Sequence, residues 1–240
     1  MLFLSLLICI FQDSYLIKSI DIRGNEETVD YVIRREILFS EGDHVTKADI
    51  VKSQKRIESL FIFNSVSYEL EKDSDAYQLI YEVSEKLNFF VIPIVKLTDD
   101  KLDRLTYGLA FNHSNLLGRK YFLSFQTLFG DRSGFRLRFS DPWFLGKWRL
   151  FYSITLENIK NSNIKNIDIL NQTHLADITI GKGFGPYFRV AINTEYQKTF
   201  FNAEDRAYSI SNSTSDKQIT YGFSMVYDNR DFFLYPKKGF

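Results

Sequence analysis

The sequence holds side chains of the types that perform hydrolysis, but not at the spacing that catalysis needs. Ser124, Ser140, His113 and Asp141 are the residue types of a serine hydrolase, in which a base activates the serine and an acid orients the base. Neither a Gly-x-Ser-x-Gly segment nor a His-Glu-x-x-His segment occurs. We therefore expect that the protein is not an enzyme.

Metal, redox and nucleic-acid chemistry have as little support. The three histidines, His44, His113 and His174, lie among unlike neighbours, and Cys9 is the single cysteine. One cysteine allows no disulfide within the chain, no thiolate zinc cluster and no redox pair. Lys plus Arg and Asp plus Glu number 30 each, so no net field attracts nucleic acid. We expect no cofactor, no metal and no nucleic-acid partner.

The strongest pattern is an alternation of apolar and polar residues in three segments between residues 115 and 157. Apolar side chains recur at every second position, which is the periodicity of a β-strand. They are Tyr121, Leu123, Phe125 and Phe129, then Phe135, Leu137 and Phe139, then Trp148, Leu150, Tyr152, Ile154 and Leu156. The intervening positions include Arg136, Arg138 and Glu157. Each predicted strand therefore has one apolar face and one charged face.

A water-soluble β-sandwich and a transmembrane barrel would both produce this alternation, and the composition favours the barrel. Aromatic residues make up 16% of the chain, and Tyr and Phe crowd the strand ends, where rings lie at bilayer interfaces. No apolar stretch of about 18 residues occurs, which excludes a helical membrane protein. A tight turn at 183–186 contrasts with long polar segments at 158–171 and 198–217, an asymmetry typical of outer-membrane barrels.

Five further strands are predicted from the same alternation, which makes about eight in all. They cover residues 89–98, 105–113, 174–182, 187–197 and 218–228. Pro93 stands in the middle of the first of them. Because proline has no N–H to donate to a ladder, this strand should lie at an edge or at a weak seam of the sheet.

The segment before these strands predicts a small α+β domain. Alternating residues indicate strands at 16–22, 66–70 and 77–83, and Thr28 and Thr46 are positioned to cap helices at 29–38 and 47–60. The order β-α-α-β-β predicts a helix pair on one face of a three-stranded sheet. Residues 1–15 hold an apolar run too short to span a bilayer, which indicates a secretory signal peptide although it lacks a preceding Lys or Arg.

Four motifs in residues 16–87 resemble a POTRA domain (polypeptide transport associated). They are IDIRGN at 20–25, IRREI at 33–37, EGD at 41–43 and LFIFNSV at 60–66. Gly24 would permit a turn and Gly42 a positive φ. The resemblance implies that the strand after the second helix is an exposed edge, which binds an extended client by adding a strand. The implied edge residues are Asn64, Val66, Tyr68 and Leu70; a shielded edge is the alternative.

Residues 88–240 resemble the first half of a BamA/TamA-type barrel of the bacterial surface antigen family. The matching residues are Asn115, Leu117 and Gly118, then Asp141, Pro142, Trp143, Phe144 and Gly146, then Asp228, Arg230, Asp231, Pro236 and Gly239. The resemblance implies a sixteen-stranded barrel whose first strand forms a lateral seam, here at Phe89, Val91, Pro93 and Val95. Two alternatives stay open, since the chain is either part of a longer protein, which we favour, or closes alone as an eight-stranded barrel.

The two resemblances together predict a protein of the bacterial outer membrane with its POTRA domain in the periplasm. The implied function is the insertion and folding of β-barrel clients, and the alternative is a two-partner-type secretion pore. The expected partners are membrane lipid, unfolded outer-membrane proteins, and periplasmic chaperones or accessory lipoproteins. From the residues alone, Trp143 and Phe144 are more readily interface anchors than client contacts. Asp228, Arg230 and Asp231 indicate a salt-bridge network.

Overall fold

The computed structural model describes residues 14–98, 101–161, 171–185, 187–230 and 239. The signal-like segment up to residue 13, and the motif residues Asp231 and Pro236, lie outside the described residues. The chain divides into two compact units, Met1–Lys86 and Leu87–Phe240, and each is described by itself.

The first unit is a four-stranded sheet with two helices. Its elements are β1 (Ser14–Arg23), α1 (Asp30–Arg34), β2 (His44–Thr46), α2 (Lys47–Glu58), β3 (Phe63–Asp73) and β4 (Ala76–Glu85). The strand order is β2-β1-β4-β3, with β1 parallel to β4 and the other two pairings antiparallel. The prediction of three strands was wrong by one, because the short β2 pairs with only three residues of β1 and is too brief to show an alternation.

The helix α2 begins where the sequence predicts. The Thr46 hydroxyl accepts a hydrogen bond from the Asp49 backbone N–H, and the Asp49 carboxylate accepts from the Thr46 backbone N–H (3.0 Å). This reciprocal capping box satisfies N–H groups that a helix start leaves free. These bonds from Thr46 hold the pKa of the Asp49 carboxyl below its usual value. Ile50 and Ile57 are fully buried in the core of the unit, as the predicted helix face requires.

The first helix is shorter than predicted. It covers Asp30–Arg34, and Thr28 does not cap it; the buried Thr28 instead donates its backbone N–H to the Glu85 carboxylate (2.7 Å). Beyond Arg34 the chain continues in turns, in which the Glu36 N–H bonds to the Ile33 carbonyl and the Ile37 N–H to the Arg34 carbonyl. The Leu38 N–H then bonds to the Ser53 hydroxyl of α2 (3.2 Å), a partner distant in sequence. No helix in the described part of the chain is long and apolar enough to cross a membrane.

The second unit is one antiparallel sheet of eight strands paired in sequence order. The strands are β5 (Phe89–Thr98), β6 (Lys101–Leu116), β7 (Tyr121–Gly130), β8 (Arg132–Phe144), β9 (Leu150–Asn161), β10 (Asn171–Phe184), β11 (Phe188–Phe201) and β12 (Ser215–Tyr227). The predicted β5 is confirmed at both ends, and most of the others extend beyond the predicted bounds. The ends of the polar segment 198–217 therefore belong to β11 and β12, and a short 3-10 helix covers Ala203–Tyr208 between them.

The predicted two-faced character of the sheet is confirmed by its register. One row of paired residues crosses all eight strands and is apolar throughout; it is Val91, Phe111, Phe125, Leu137, Leu156, Ala176, Tyr196 and Ile219. The row beside it is Phe90, Asn112, Ser124, Arg138, Thr155, Asp177, Glu195 and Thr220. We call the first side the apolar face and the second the polar face.

The two ends of the sheet also differ. One end carries the tight connections after β6, β8 and β10, and β5 begins and β12 ends there; we call it the turn side. The opposite end carries the connections after β5, β7, β9 and β11, including the two long ones, and we call it the loop side.

Candidate functional site

The strand β3 is an edge of the first sheet, as the POTRA resemblance implies, since among the described residues it pairs only with β4. Its backbone direction follows from two contacts. The Val66 carbonyl oxygen accepts a hydrogen bond from Gln54 Nε2 (2.7 Å), so it points away from β4. The oxygen of its register partner Val83 points toward Gly24, on the far side of β4. Because peptide groups alternate along a strand, Val66, Tyr68 and Leu70 direct their N–H and C=O groups outward from the sheet edge.

The predicted edge residues contribute backbone rather than side chains. Val66 is buried in the core, and Tyr68 and Leu70 pack against it. Asn64 lies at a bulge between the paired residues Phe63 and Ser65, and its Nδ2 donates to the Glu85 carbonyl oxygen (3.0 Å). Asn64 therefore stands outside the regular ladder. A strand added to this edge would form main-chain bonds beside Tyr68 and Leu70.

Gln54 is the residue at this edge that the sequence analysis missed. Gln54 lies in α2, and its Nε2 donates to both the Val66 carbonyl oxygen and the Glu58 carboxylate (3.0 Å). Gln54 thus bonds to the first outward-facing carbonyl of β3, that of Val66, and does not bond to the carbonyls of Tyr68 and Leu70. Its place in the helix pattern carried no sign of this contact, which depends on how α2 packs against β3.

The strand β5 is one edge of the second sheet, which is where Pro93 was expected to lie. Pro93 is in register with Leu109 of β6, and among the described residues β5 has no other partner strand. The residues proposed for the seam, Phe89, Val91, Pro93 and Val95, alternate along the apolar face, and the side chains of Phe89, Val91 and Val95 are exposed. At the opposite edge, β12 pairs only with β11 within the described residues, so β5 and β12 do not pair with each other there.

The structure brings the three segments of the barrel motif to one end of the sheet. The turn with Asn115, Leu117 and Gly118 follows β6, the Asp141 to Gly146 segment follows β8, and Asp228 and Arg230 follow β12. Because the sheet is antiparallel, with one strand between β6 and β8 and three between β8 and β12, the three strands run in the same direction and all three segments lie on the turn side. The sequence showed the segments but not their common position.

Asn115 holds the turn between β6 and β7. Its side chain is buried, and its Oδ1 accepts from the Lys120 backbone N–H (2.8 Å), while its carbonyl oxygen accepts from the Gly118 N–H (3.0 Å). Leu117, Gly118 and Lys120 all have positive φ, so the backbone of this turn is unfavourable without such bonds. The motif at this position therefore stabilises a turn.

We expect Asn115→Leu to destabilise the second unit by about 1–3 kcal/mol, because the Lys120 N–H, in a half-buried turn, loses its acceptor. Urea unfolding of the detergent-solubilised chain followed by tryptophan fluorescence would measure this, since both tryptophans, Trp143 and Trp148, lie in that unit. The matched control is Asn112→Leu on the same strand, where the side chain is half-buried and no turn depends on it. Equal midpoints for the two variants would contradict this role.

Asp141 organises the second motif. Its buried carboxylate accepts from the Trp143 backbone N–H (2.8 Å), and the register between β8 and β9 shifts between Asp141 and Phe144. Pro142 lies within this irregularity, two residues before the end of β8. The Phe144 ring meets Tyr152 edge-to-face, and the Arg149 guanidinium lies 5.6 Å from the Trp143 ring centre. Gly146 follows with a positive φ and opens a 3-10 turn.

The third motif forms an ion pair. Arg230 Nη2 lies 2.5 Å from Asp228 Oδ2, and its Nε donates to Oδ1 (2.7 Å). These hydrogen bonds hold the pKa of the Asp228 carboxyl at about 2, well below its usual range, so the pair stays ionised at every physiological pH. Gly239 has a positive φ, with its backbone beside that of Asn229. Asp228 and Arg230 of the predicted salt-bridge network are thus paired, and Asp231 lies outside the described residues.

Two family models match the chain. The model described as the Omp85 superfamily domain matches residues 115–240, and the POTRA model described as "Surface antigen variable number repeat" matches residues 15–86. A segment of 72 residues, 30% of this chain, is 43% identical to the outer membrane protein assembly factor BamA of Neorickettsia risticii (strain Illinois) and spans 10% of that protein.

Solved structures show the same fold. The crystal structure of BamA from Haemophilus ducreyi lacking POTRA domains 1–3 matches 92% of this chain with a TM-score of 0.63 at 16% identity. CdiB from Escherichia coli matches 91% with a TM-score of 0.51 at 12% identity. The chain spans less than half of each, 46% and 42% respectively. The likeness to BamA confirms the predicted fold, a POTRA domain followed by the strands of half a barrel.

Proposed function

The chain belongs to the Omp85 superfamily, and from this membership we propose that it inserts β-barrel clients into the outer membrane by pairing with their strands. It is an outer-membrane protein of the BamA/TamA type whose POTRA domain lies in the periplasm. The turn side of the sheet, which the chain enters from the POTRA domain, then faces the periplasm. The single observation that carries the proposal is that both units have strand edges with outward-facing backbone groups.

In this proposal the edge of β3 binds the client first. A segment of an unfolded barrel protein adds a strand beside Tyr68 and Leu70, whose N–H and C=O groups face away from β4. The bonds are made to backbone, so they place little demand on client sequence. The Gln54 side chain, which already occupies the Val66 carbonyl, defines where the added strand begins.

We expect Leu70→Pro to weaken binding of an unfolded barrel client by about tenfold, because proline removes an outward N–H and crowds the added strand. Fluorescence anisotropy with a labelled client peptide in the presence of the full chain would measure the affinity. The matched control is Leu70→Val, which loses packing at the same position but keeps the N–H. Equal affinities for the two variants would exclude the β3 edge as the binding site.

The second step uses the edge of β5. A client strand that pairs there satisfies its backbone before it enters hydrocarbon, where an unpaired N–H or C=O costs several kcal/mol. Pro93 has no N–H to donate at that edge, so a strand that pairs with β5 there loses one ladder hydrogen bond. This keeps the pairing weak and reversible. Burial of the apolar faces of the client in lipid supplies the driving force, and no covalent chemistry is needed.

Reconstitution tests the proposal as a whole. The protein is placed in phospholipid vesicles, and an unfolded barrel client is added outside; faster acquisition of protease-resistant client is the expected result. Unchanged client folding would count against insertion. Client that instead crosses into the vesicle lumen would support the alternative of a secretion pore, so one assay separates the two functions.

A further inference from the structure

A row of basic side chains lies on the apolar face at its loop-side end. Lys198 of β11 is in register with Lys217 of β12 on one side and with His174 of β10 on the other. The three residues stand at the same height on three adjacent strands and project from the same face as Tyr196 and Ile219.

Two ammonium groups directly opposite on adjacent antiparallel strands repel each other, which destabilises the pair unless an anion lies between them. In the described part of the chain, which leaves out residues 162–170, neither lysine forms an ion pair. The Lys198 Nζ lies 4.3 Å from the centre of the Phe200 ring, which holds the ammonium at the sheet surface. The His174 ring packs edge-to-face against the same Phe200 (5.2 Å). Phe200 thus contacts both the Lys198 ammonium group and the His174 ring.

The row lies at the boundary of the apolar band. Along β10 the next basic residue on this face is Lys182, between the Trp148 and Phe184 rings on the turn side. His174 and Lys182 are eight residues apart, about 26 Å along a strand at ~3.3 Å per residue. The side chains between them on this face are Ala176, Ile178 and Ile180. Because barrel strands tilt by ~35–45°, this length spans a depth of about 18–21 Å, which is comparable with the ~25 Å height of the lipid-facing band.

We propose that Lys198 and Lys217, with His174 beside them, bind the phosphate group of a membrane lipid on the loop side of the sheet. The inference rests on the proposed function only in placing the apolar face in lipid. A phosphate between the two ammonium groups removes their repulsion, and the acyl chains of the same lipid lie along Tyr196 and Ile219 below. Because the basic row adjoins an apolar surface, we expect it to bind a lipid more tightly than free phosphate.

The test titrates the detergent-purified full chain with phosphatidic acid, or with phosphatidylcholine, whose phosphate is neutralised by its own choline cation, as the zwitterionic comparison. Bound lipid is counted by native mass spectrometry. We expect Lys217→Met to lower the phosphatidic acid affinity about fivefold. Lys198→Glu should lower it about 25-fold, since it removes one positive charge and adds a negative one. This second variant also forms a cross-strand ion pair with Lys217, so the sheet should be at least as stable and lost binding cannot reflect unfolding.

Lys96→Met on the polar face of β5 is the matched control and should bind as the unaltered chain does. Equal phosphatidic acid affinity in Lys198→Glu, Lys217→Met and Lys96→Met would overturn the proposal. Displacement of the lipid by an equal concentration of inorganic phosphate would overturn the assignment to a lipid. Flotation with vesicles tests the premise that the apolar face lies in lipid. A chain that does not float with the vesicles would overturn both the proposed function and the phosphate site. A chain that floats without preferring phosphatidic acid would overturn only the phosphate site.

Discussion

Ile178→Arg should destabilise the membrane-inserted sheet by about 2–4 kcal/mol, the cost of a cation near the middle of a lipid-facing barrel surface. Ile178 lies midway between His174 and Lys182 on the apolar face and is 48% exposed in the isolated chain. Its register partners on that face are Ile154 and Thr194. If lipid covers this face, an arginine there must lose its hydration.

The matched control is Thr179→Arg, one residue away on the polar face. Thr179 lies beside Asp177 there, with its Oγ1 donating to the carboxylate (3.4 Å), so a cation gains a partner instead of losing water. Urea titration of both variants in phospholipid vesicles, followed by tryptophan fluorescence, gives the two free energies of unfolding. A cost below about 1 kcal/mol for Ile178→Arg would mean that the face is not at bilayer depth, and the proposed insertion mechanism would fail with it.

Gly24→Ala should cost the POTRA domain about 3 kcal/mol or more. Gly24 has a φ of +83°, which L-residues adopt at a cost of about 1–2 kcal/mol. A Cβ there would also lie 2.1 Å from the Val83 carbonyl oxygen of β4, and a backbone atom inside a sheet cannot rotate away. Relieving this overlap requires the end of β1 to move off β4, which adds an overpacking cost of about 1–3 kcal/mol.

Gly42→Ala separates the two contributions, because Gly42 has a similar φ of +93° but no atom within 4 Å of an added Cβ. We expect only the backbone term there, about 1–2 kcal/mol. Hydrogen–deuterium exchange of the full chain in detergent, read on peptides from residues 14–86, would report the loss of protection in each variant. Equal loss in both would show that the contact with Val83 is not a constraint.

The sequence alone determined the strands and the chemistry of their faces. Alternation of apolar and polar residues depends only on the two-residue period of a strand, so the apolar face that includes Phe125, Leu137 and Leu156 could be read without coordinates. The cap of α2 at Thr46 and the positive φ at Gly24 and Gly42 are also local properties, carried by residue type. Pro93 indicated an edge strand because it lacks an N–H.

Tertiary structure decided whatever depends on partners distant in the chain. After the first helix, the Leu38 N–H bonds to Ser53 of α2, and the Thr28 N–H bonds to the Glu85 carboxylate. The Gln54 bond to the edge of β3 likewise depends on how α2 packs. The common position of the three barrel motifs, and the juxtaposition of Lys198 with Lys217, follow from strand pairing. A strand pattern specifies which side chains share a face, but the register that sets one beside another is a property of the assembled sheet.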